Sequence, residues 1–178
     1  MSILIPLFTA LVAAGAFIKI PLGAVPITLQ TLFCFLMALL LPVKSSLISI
    51  SLYMIIGAIG IPIFTTGGGF AALLGPTGGF LLAMIPATAI GSLLASKKHD
   101  SIIYNVSILL VMEAIIYVIG VPFLMFKLNI PLKAALITGC VPFIPGDILK
   151  IVIASISGKY LYPECKKLDR RRKEVETE

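Results

Sequence analysis

Charge is what this sequence has least of. Lys, Arg, Asp and Glu make up 12% of its 178 residues, against about 25% in an ordinary soluble domain. So few charged groups cannot cover the surface of a soluble fold. The 59% hydrophobic content also excludes intrinsic disorder, which needs low hydrophobicity and high net charge. Histidine occurs once, as His99 in a charged connection. No His/Cys/Glu cluster has metal-ligand spacing, no two carboxylates are paired, and no Ser-His-Asp set can be assembled. Metal, cofactor and catalytic roles therefore have no visible support. The three cysteines, Cys34, Cys140 and Cys165, have no regular spacing. They form neither a disulfide framework nor a zinc site, and Cys34 and Cys140 read as small buried thiols. No basic segment precedes the first apolar block, so that block is expected to be a retained span, not a cleavable signal.

What is present is a series of apolar blocks. Pro, Gly and charge divide the chain into blocks at about residues 3–20, 28–41, 46–61, 80–95, 102–126 and 132–161, the last interrupted by PFIPGD. At roughly 20 residues per span, this predicts an all-α integral membrane protein with six transmembrane helices. Residues 1–162 form its membrane domain, and residues 163–178 a basic cytoplasmic tail. The second and third blocks are short and need tilt, flanking residues or local thinning to cross; a non-crossing hairpin is the alternative for that pair. With both termini inside, ten of the fourteen Lys and Arg residues fall on the cytoplasmic side, as the positive-inside rule requires. Lys159 and the tail supply seven of the ten. Outside these the split is three to three, so the N-in/C-in orientation rests on the C-terminal end. Basic residues lie between blocks and not on one face, so no nucleic-acid partner is expected. The Arg170-Arg171-Arg172-Lys173 run reads as an anchor at anionic headgroups.

Polar residues inside the blocks are few, and each is informative. Asp147 and Lys150 are costly in a span and mark ligand or ion pathways. Their i, i+3 spacing puts them on one helical face. The PFIPG run ahead of them breaks the helix, so Asp147 falls in a first turn, where it can cap freed amides. Ligand contact and a structural ion pair both remain open. Glu113 has no basic partner at i±3 or i±4; a cavity wall and a hydrogen bond across the bundle are both open for it. Thr28 and Gln30 follow Pro26, as ligand contacts or as a plain helix start.

The connection at residues 62–79 carries no charge at all. An external linker would be polar, so this segment is expected to pack into the protein as a lid or cavity wall. Its glycines, in GGGF (residues 67–70) and GPTGG (residues 75–79), permit positive φ and close backbone approach. A phosphate-binding loop is the lesser reading, because no Lys-Ser/Thr follows. Ala10 and Ala14, four apart on the first block, let another helix come close, within the bundle or outside it.

These residues together resemble the BioY family, the biotin-specific substrate-binding (S) components of energy-coupling factor (ECF) transporters. The resemblance spans nearly the whole chain up to the tail. It rests on VPITLQ (residues 25–30), the G-x-x-G-x-P run at Gly57, Gly60 and Pro62, GPTGG, and PFIPGDILK (residues 142–150), in the family order and spacing. It implies six transmembrane helices in a prokaryotic cell membrane, with biotin bound near the outer side beneath the first and third connecting loops. The Asp and Lys of the family's P-G-D-x-x-K run fall on Asp147 and Lys150, and the third loop on Phe64 through Gly79. The expected substrate-binding set is Asp147, Lys150, Thr28, Gln30, Phe64, Gly69, Gly75, Thr77, Gly78, Gly79 and Glu113. The family's A-x-x-x-A pattern for docking the coupling protein EcfT falls on Ala10 and Ala14. Two ATPase subunits would consume ATP, and this chain would hold no cofactor. Phe80, where many relatives have Tyr, is a departure. An S component for thiamine or riboflavin, an intramembrane enzyme and an assembly protein are the alternatives.

Overall fold

In the computed structural model, residues 3–96 and 101–176 are described, with side chains to residue 167. Lys97, Lys98, His99 and Asp100 lie outside the described residues, as do the side chains of the Arg170–Lys173 anchor. The order of elements is α1 (Leu4–Phe17), β1 (Lys19–Ile20), β2 (Ile27–Thr28), α2 (Gln30–Leu40), α3 (Val43–Ala58), α4 (Phe70–Leu74), α5 (Gly78–Ala95), α6 (Ile102–Leu128), α7 (Leu132–Gly139) and α8 (Ile144–Glu176). Each apolar block becomes helix. The connection after the first block folds back as a short antiparallel hairpin pairing Lys19 with Thr28 and Ile20 with Ile27. Gly23, at φ +64°, lies in its turn.

The breaks follow from proline chemistry. Leu41 is extended, with ψ 147°, as the residue before Pro42 must be, and Pro42 then opens α3. The sixth block is interrupted at residues 140–143, and α7 and the span Ile144–Lys167 meet at 49°. Pro142 has no N–H to continue α7, and Pro145 sits in the first turn of α8, where no donor is needed. The polar tail does not end the helix: α8 runs through Pro163 to Glu176.

By length and composition, α5 and α6 can each cross a membrane, as can the bent α7–α8 pair taken as one span. The helices α1, α2 and α3 have 14, 11 and 16 residues. At 1.5 Å per residue these are about 21, 16 and 24 Å long, less than a ~30 Å hydrocarbon core.

Polarity is distributed inside out. Large apolar side chains such as Ile55, Val118 and Phe126 are exposed, while Gln30, Ser46, Ser49, Asn105, Glu113, Asp147 and Lys150 are buried. That arrangement fits a hydrocarbon solvent, in which polar groups must find partners inside the bundle. Thr9 and Ser49 do so between α1 and α3: their hydroxyls are 3.1 Å apart, and each donates to the Ile5 carbonyl, at 2.9 and 2.8 Å. The α5–α6 pair is held close by glycines. A β-carbon at Gly79 would meet the Phe123 side chain, and one at Gly120 the Phe80 ring.

Candidate functional site

One end of the bundle holds a partly open cavity. Its walls come from the hairpin (Val25, Pro26, Thr28), the start of α2 (Gln30, Thr31) and the Gly-rich connection (Thr65, Thr77). The rest comes from α5, α6 and the α7–α8 break. The apolar wall is Phe80, Leu81, Met84, Ile116 and Phe143.

The polar centre is built on α8. The Lys150 ammonium donates to Asp147 Oδ1 at 2.9 Å and to Thr31 Oγ1 at 3.1 Å. The Tyr117 hydroxyl donates to Asp147 Oδ2. Asp147 and Lys150 are each 5% exposed, so their pairing is what makes both charges tolerable at this depth. The Asp147 carboxylate thus accepts from side chains. Its backbone N–H continues the helix ladder to Phe143 O at 2.9 Å. Glu113 and Tyr117 are one turn apart on α6, on the same face. The Glu113 carboxyl lies beside Asp147 and Tyr117, and its Oε2 has no hydrogen-bond partner.

A second chain of contacts ties the hairpin and the Gly-rich connection to the helices. Lys19 Nζ donates to Thr65 O at 2.8 Å, and Thr65 Oγ1 donates to Gln30 Oε1 at 3.3 Å. Gln30 Nε2 donates to the Tyr53 hydroxyl at 2.8 Å, which donates to Ile63 O at 3.2 Å. Among the described residues, no group of three or more metal-ligating side chains is gathered.

The family model for BioY matches residues 1–167. The chain belongs to the BioY family. It is 40% identical over 151 residues to the biotin transporter BioY of Thermotoga maritima, covering 84% of this chain and 88% of that protein. It is also 40% identical over 160 residues to the biotin transporter BioY2 of Lactococcus lactis, covering 87% and 86%. A crystal structure of the S-component for biotin from an ECF-type ABC transporter has the same fold, with a TM-score of 0.82 at 30% identity over 89% of this chain and 88% of that one.

The residues singled out from the BioY motifs divide into two groups. Thr28, Gln30, Thr77, Glu113, Asp147 and Lys150 line the cavity. Thr28 is in β2, where its Oγ1 accepts from Gln30 N at 3.3 Å. Phe64, Gly69, Gly75, Gly78 and Gly79 belong to the Gly-rich connection and its junction with α5, outside the cavity lining. Phe64 is buried, with its ring edge-on to Tyr53 at 5.3 Å and its tip against Gly57. Gly69, at φ +89°, precedes α4 and donates its N–H to Gly57 O at 2.7 Å. Gly75 ends α4. Gly78 leaves no room for a β-carbon against the Leu73 carbonyl. Sequence reading missed Thr31, Thr65 and Tyr117, whose roles depend on partners far away in the chain. Tyr117 carries one local signal, its i+4 relation to Glu113. Phe80, the departure from the family pattern, faces the cavity and packs over Gly120 and Gly139.

Ala10 and Ala14 are not part of the cavity lining. With Pro6, Ala13, Phe17, Leu52 and Ile56 they line a shallow apolar groove between α1 and α3.

Proposed function

We propose that this chain is the biotin-binding S component of an ECF-type uptake system in a prokaryotic cell membrane. The observation that carries the reading is the Tyr117–Asp147–Lys150–Thr31 chain, set at a helix break inside a cavity with apolar walls. Biotin presents a ureido ring with two N–H donors and a carbonyl acceptor, a thioether ring, and an aliphatic tail ending in a carboxylate. Buried acceptors and an ammonium suit the ureido head, and Phe80, Met84, Ile116 and Phe143 suit the rings and tail. Asp147, Lys150, Thr28, Gln30, Thr77 and Glu113 form the binding wall in this reading. Phe64, Gly69, Gly75, Gly78 and Gly79 shape the cover that lies over it.

Six crossings with both termini cytoplasmic complete the reading. They require α1, α2 and α3 to cross with flanking residues, tilt or local thinning of the bilayer. The apolar exterior and the basic tail at residues 163–178 support it. The Ala10/Ala14 groove is the docking face for EcfT, because small residues let helices approach closely. The chain itself carries out no catalytic step. Two ATPase subunits supply the energy, and biotin is the only small molecule this chain holds.

Equilibrium binding of labelled biotin to the purified, detergent-solubilised protein tests the reading. Tight saturable binding at one site, displaced by unlabelled biotin, is the expected result. Displacement by thiamine or riboflavin but not by biotin would make it an S component for another vitamin. No binding at micromolar biotin would sink the reading altogether.

A further inference from the structure

The polar groups around the cavity differ in how much hydrogen-bonding capacity they have left. Gln30 Nε2 is engaged by Tyr53 and Met84, and its Oε1 accepts from Thr65. The Tyr117 hydroxyl is directed at Asp147, and Lys150 at Asp147 and Thr31. Glu113 is different. It is 8% exposed, yet its Oε2 accepts nothing. Four buried side-chain atoms among the described residues lack a partner: Thr88 Oγ1, Asn105 Oδ1, Glu113 Oε2 and Ser155 Oγ. Of their residues, Glu113 alone lines the cavity.

An unmet buried acceptor is costly, more so on a carboxyl group. Tyr117 and Lys150 are directed at Asp147 and Thr31, so the Glu113 carboxyl group on the cavity wall keeps capacity for a donor that a ligand brings. The local charge balance narrows its chemistry. Two carboxyl groups, Glu113 and Asp147, lie side by side with one ammonium between α2 and α8 to offset them. A further carboxylate brought here would be repelled, whereas an N–H donor would be held. The head of the ligand, and not its acidic tail, therefore belongs at this wall.

Resting on the biotin reading above, we propose that Glu113 determines specificity by accepting one ring N–H of the ureido head at its carboxyl group. The α6 wall then recognises the donor edge of the head, and a ligand without that N–H leaves a buried acceptor unmet.

The test pairs a protein change with a ligand change. Biotin and the two cyclic carbamates that replace one or the other ring N–H with oxygen are titrated into the wild-type protein, Glu113→Leu and Glu113→Met in detergent. Thermal unfolding checks that the variants are folded. For wild type, one carbamate should bind about 10- to 100-fold more weakly than biotin, the range for leaving one buried acceptor unmet. Both variants should lose a similar factor for biotin, and for them the penalty of that same carbamate should vanish. Biotin affinity unchanged in a folded variant overturns the inference and leaves the biotin reading intact. So does an undiminished carbamate penalty in the variants. Two carbamates that bind wild type as tightly as biotin overturn it whether or not the variants fold. Failure of the wild-type protein to bind biotin overturns the ligand reading itself.

Discussion

Lys150 on α8 and Thr31 on α2 are 119 residues apart in the chain and joined by a hydrogen bond of 3.1 Å. That bond aims the ammonium across the cavity, instead of leaving it folded back onto Asp147 alone. It makes α2 part of the polar centre. Thr31→Val removes the acceptor and keeps the shape. A net hydrogen bond is worth about 1 kcal/mol, so biotin affinity should fall roughly fivefold with the unfolding midpoint little changed. Titration and thermal unfolding of the same preparation check both halves.

Asp147 and Lys150 should show strong coupling. Removing one member of a buried pair leaves an uncompensated charge and costs about 3–5 kcal/mol. Asp147→Asn and Lys150→Met are each expected to lower stability and abolish measurable biotin binding. The double variant should regain much of the stability but none of the binding. A double variant as unstable as the worse single one would argue against a mutually compensating pair.

Tyr117→Phe tests the donor on α6. It leaves Asp147 Oδ2 without its partner in a nearly closed site, so affinity should fall about tenfold. Apolar packing against Val25, Leu124 and Phe143 should be untouched. Binding indistinguishable from wild type would mean that another donor replaces the hydroxyl.

Glycines of the connection should differ in their sensitivity. A β-carbon at Gly78 would run into the Leu73 backbone carbonyl, whereas one at Gly75 comes no closer than 3.4 Å to the Ala71 and Ala72 carbonyls. Gly78→Ala is therefore expected to destabilise by about 1–3 kcal/mol, and Gly75→Ala to be nearly neutral. Unfolding midpoints of the two variants in one detergent decide it.

Docking and binding should separate. Replacing both Ala10 and Ala14 with Leu fills the α1–α3 groove, which shares no lining residue with the cavity. Biotin titrations should be unchanged while co-purification with EcfT is lost. Retained co-purification would move the docking face elsewhere.

Local features were legible in the sequence because they are set by neighbours along the chain. Pro42 and the Pro142/Pro145 pair dictate where helices stop, and the i, i+3 spacing of Asp147 and Lys150 dictates their common face. The glycines were harder to read. Their freedom suggested backbone approach to a ligand, but Gly78 and Gly79 sit against Leu73 and Phe123. A glycine pattern shows that something approaches closely without showing what it is. The length of α8 was also missed, because a charged segment with a proline reads as a chain end, yet Pro163 lies inside the helix.

The sequence by itself determined the membrane class, through scarcity of charge, and the order of the helices, through blocks cut by proline and charge. It also determined the helix break that presents Asp147 and Lys150, since each of these follows from composition or from residues within two turns. Only the tertiary structure decided that Thr31 and Tyr117 meet that pair, that Thr65 bonds Gln30, and that Glu113 joins the cavity wall with one oxygen unpartnered. Those partners are separated by 30 to 119 residues. Which of them meet depends on how α2, α6 and α8 pack, and no local periodicity encodes that.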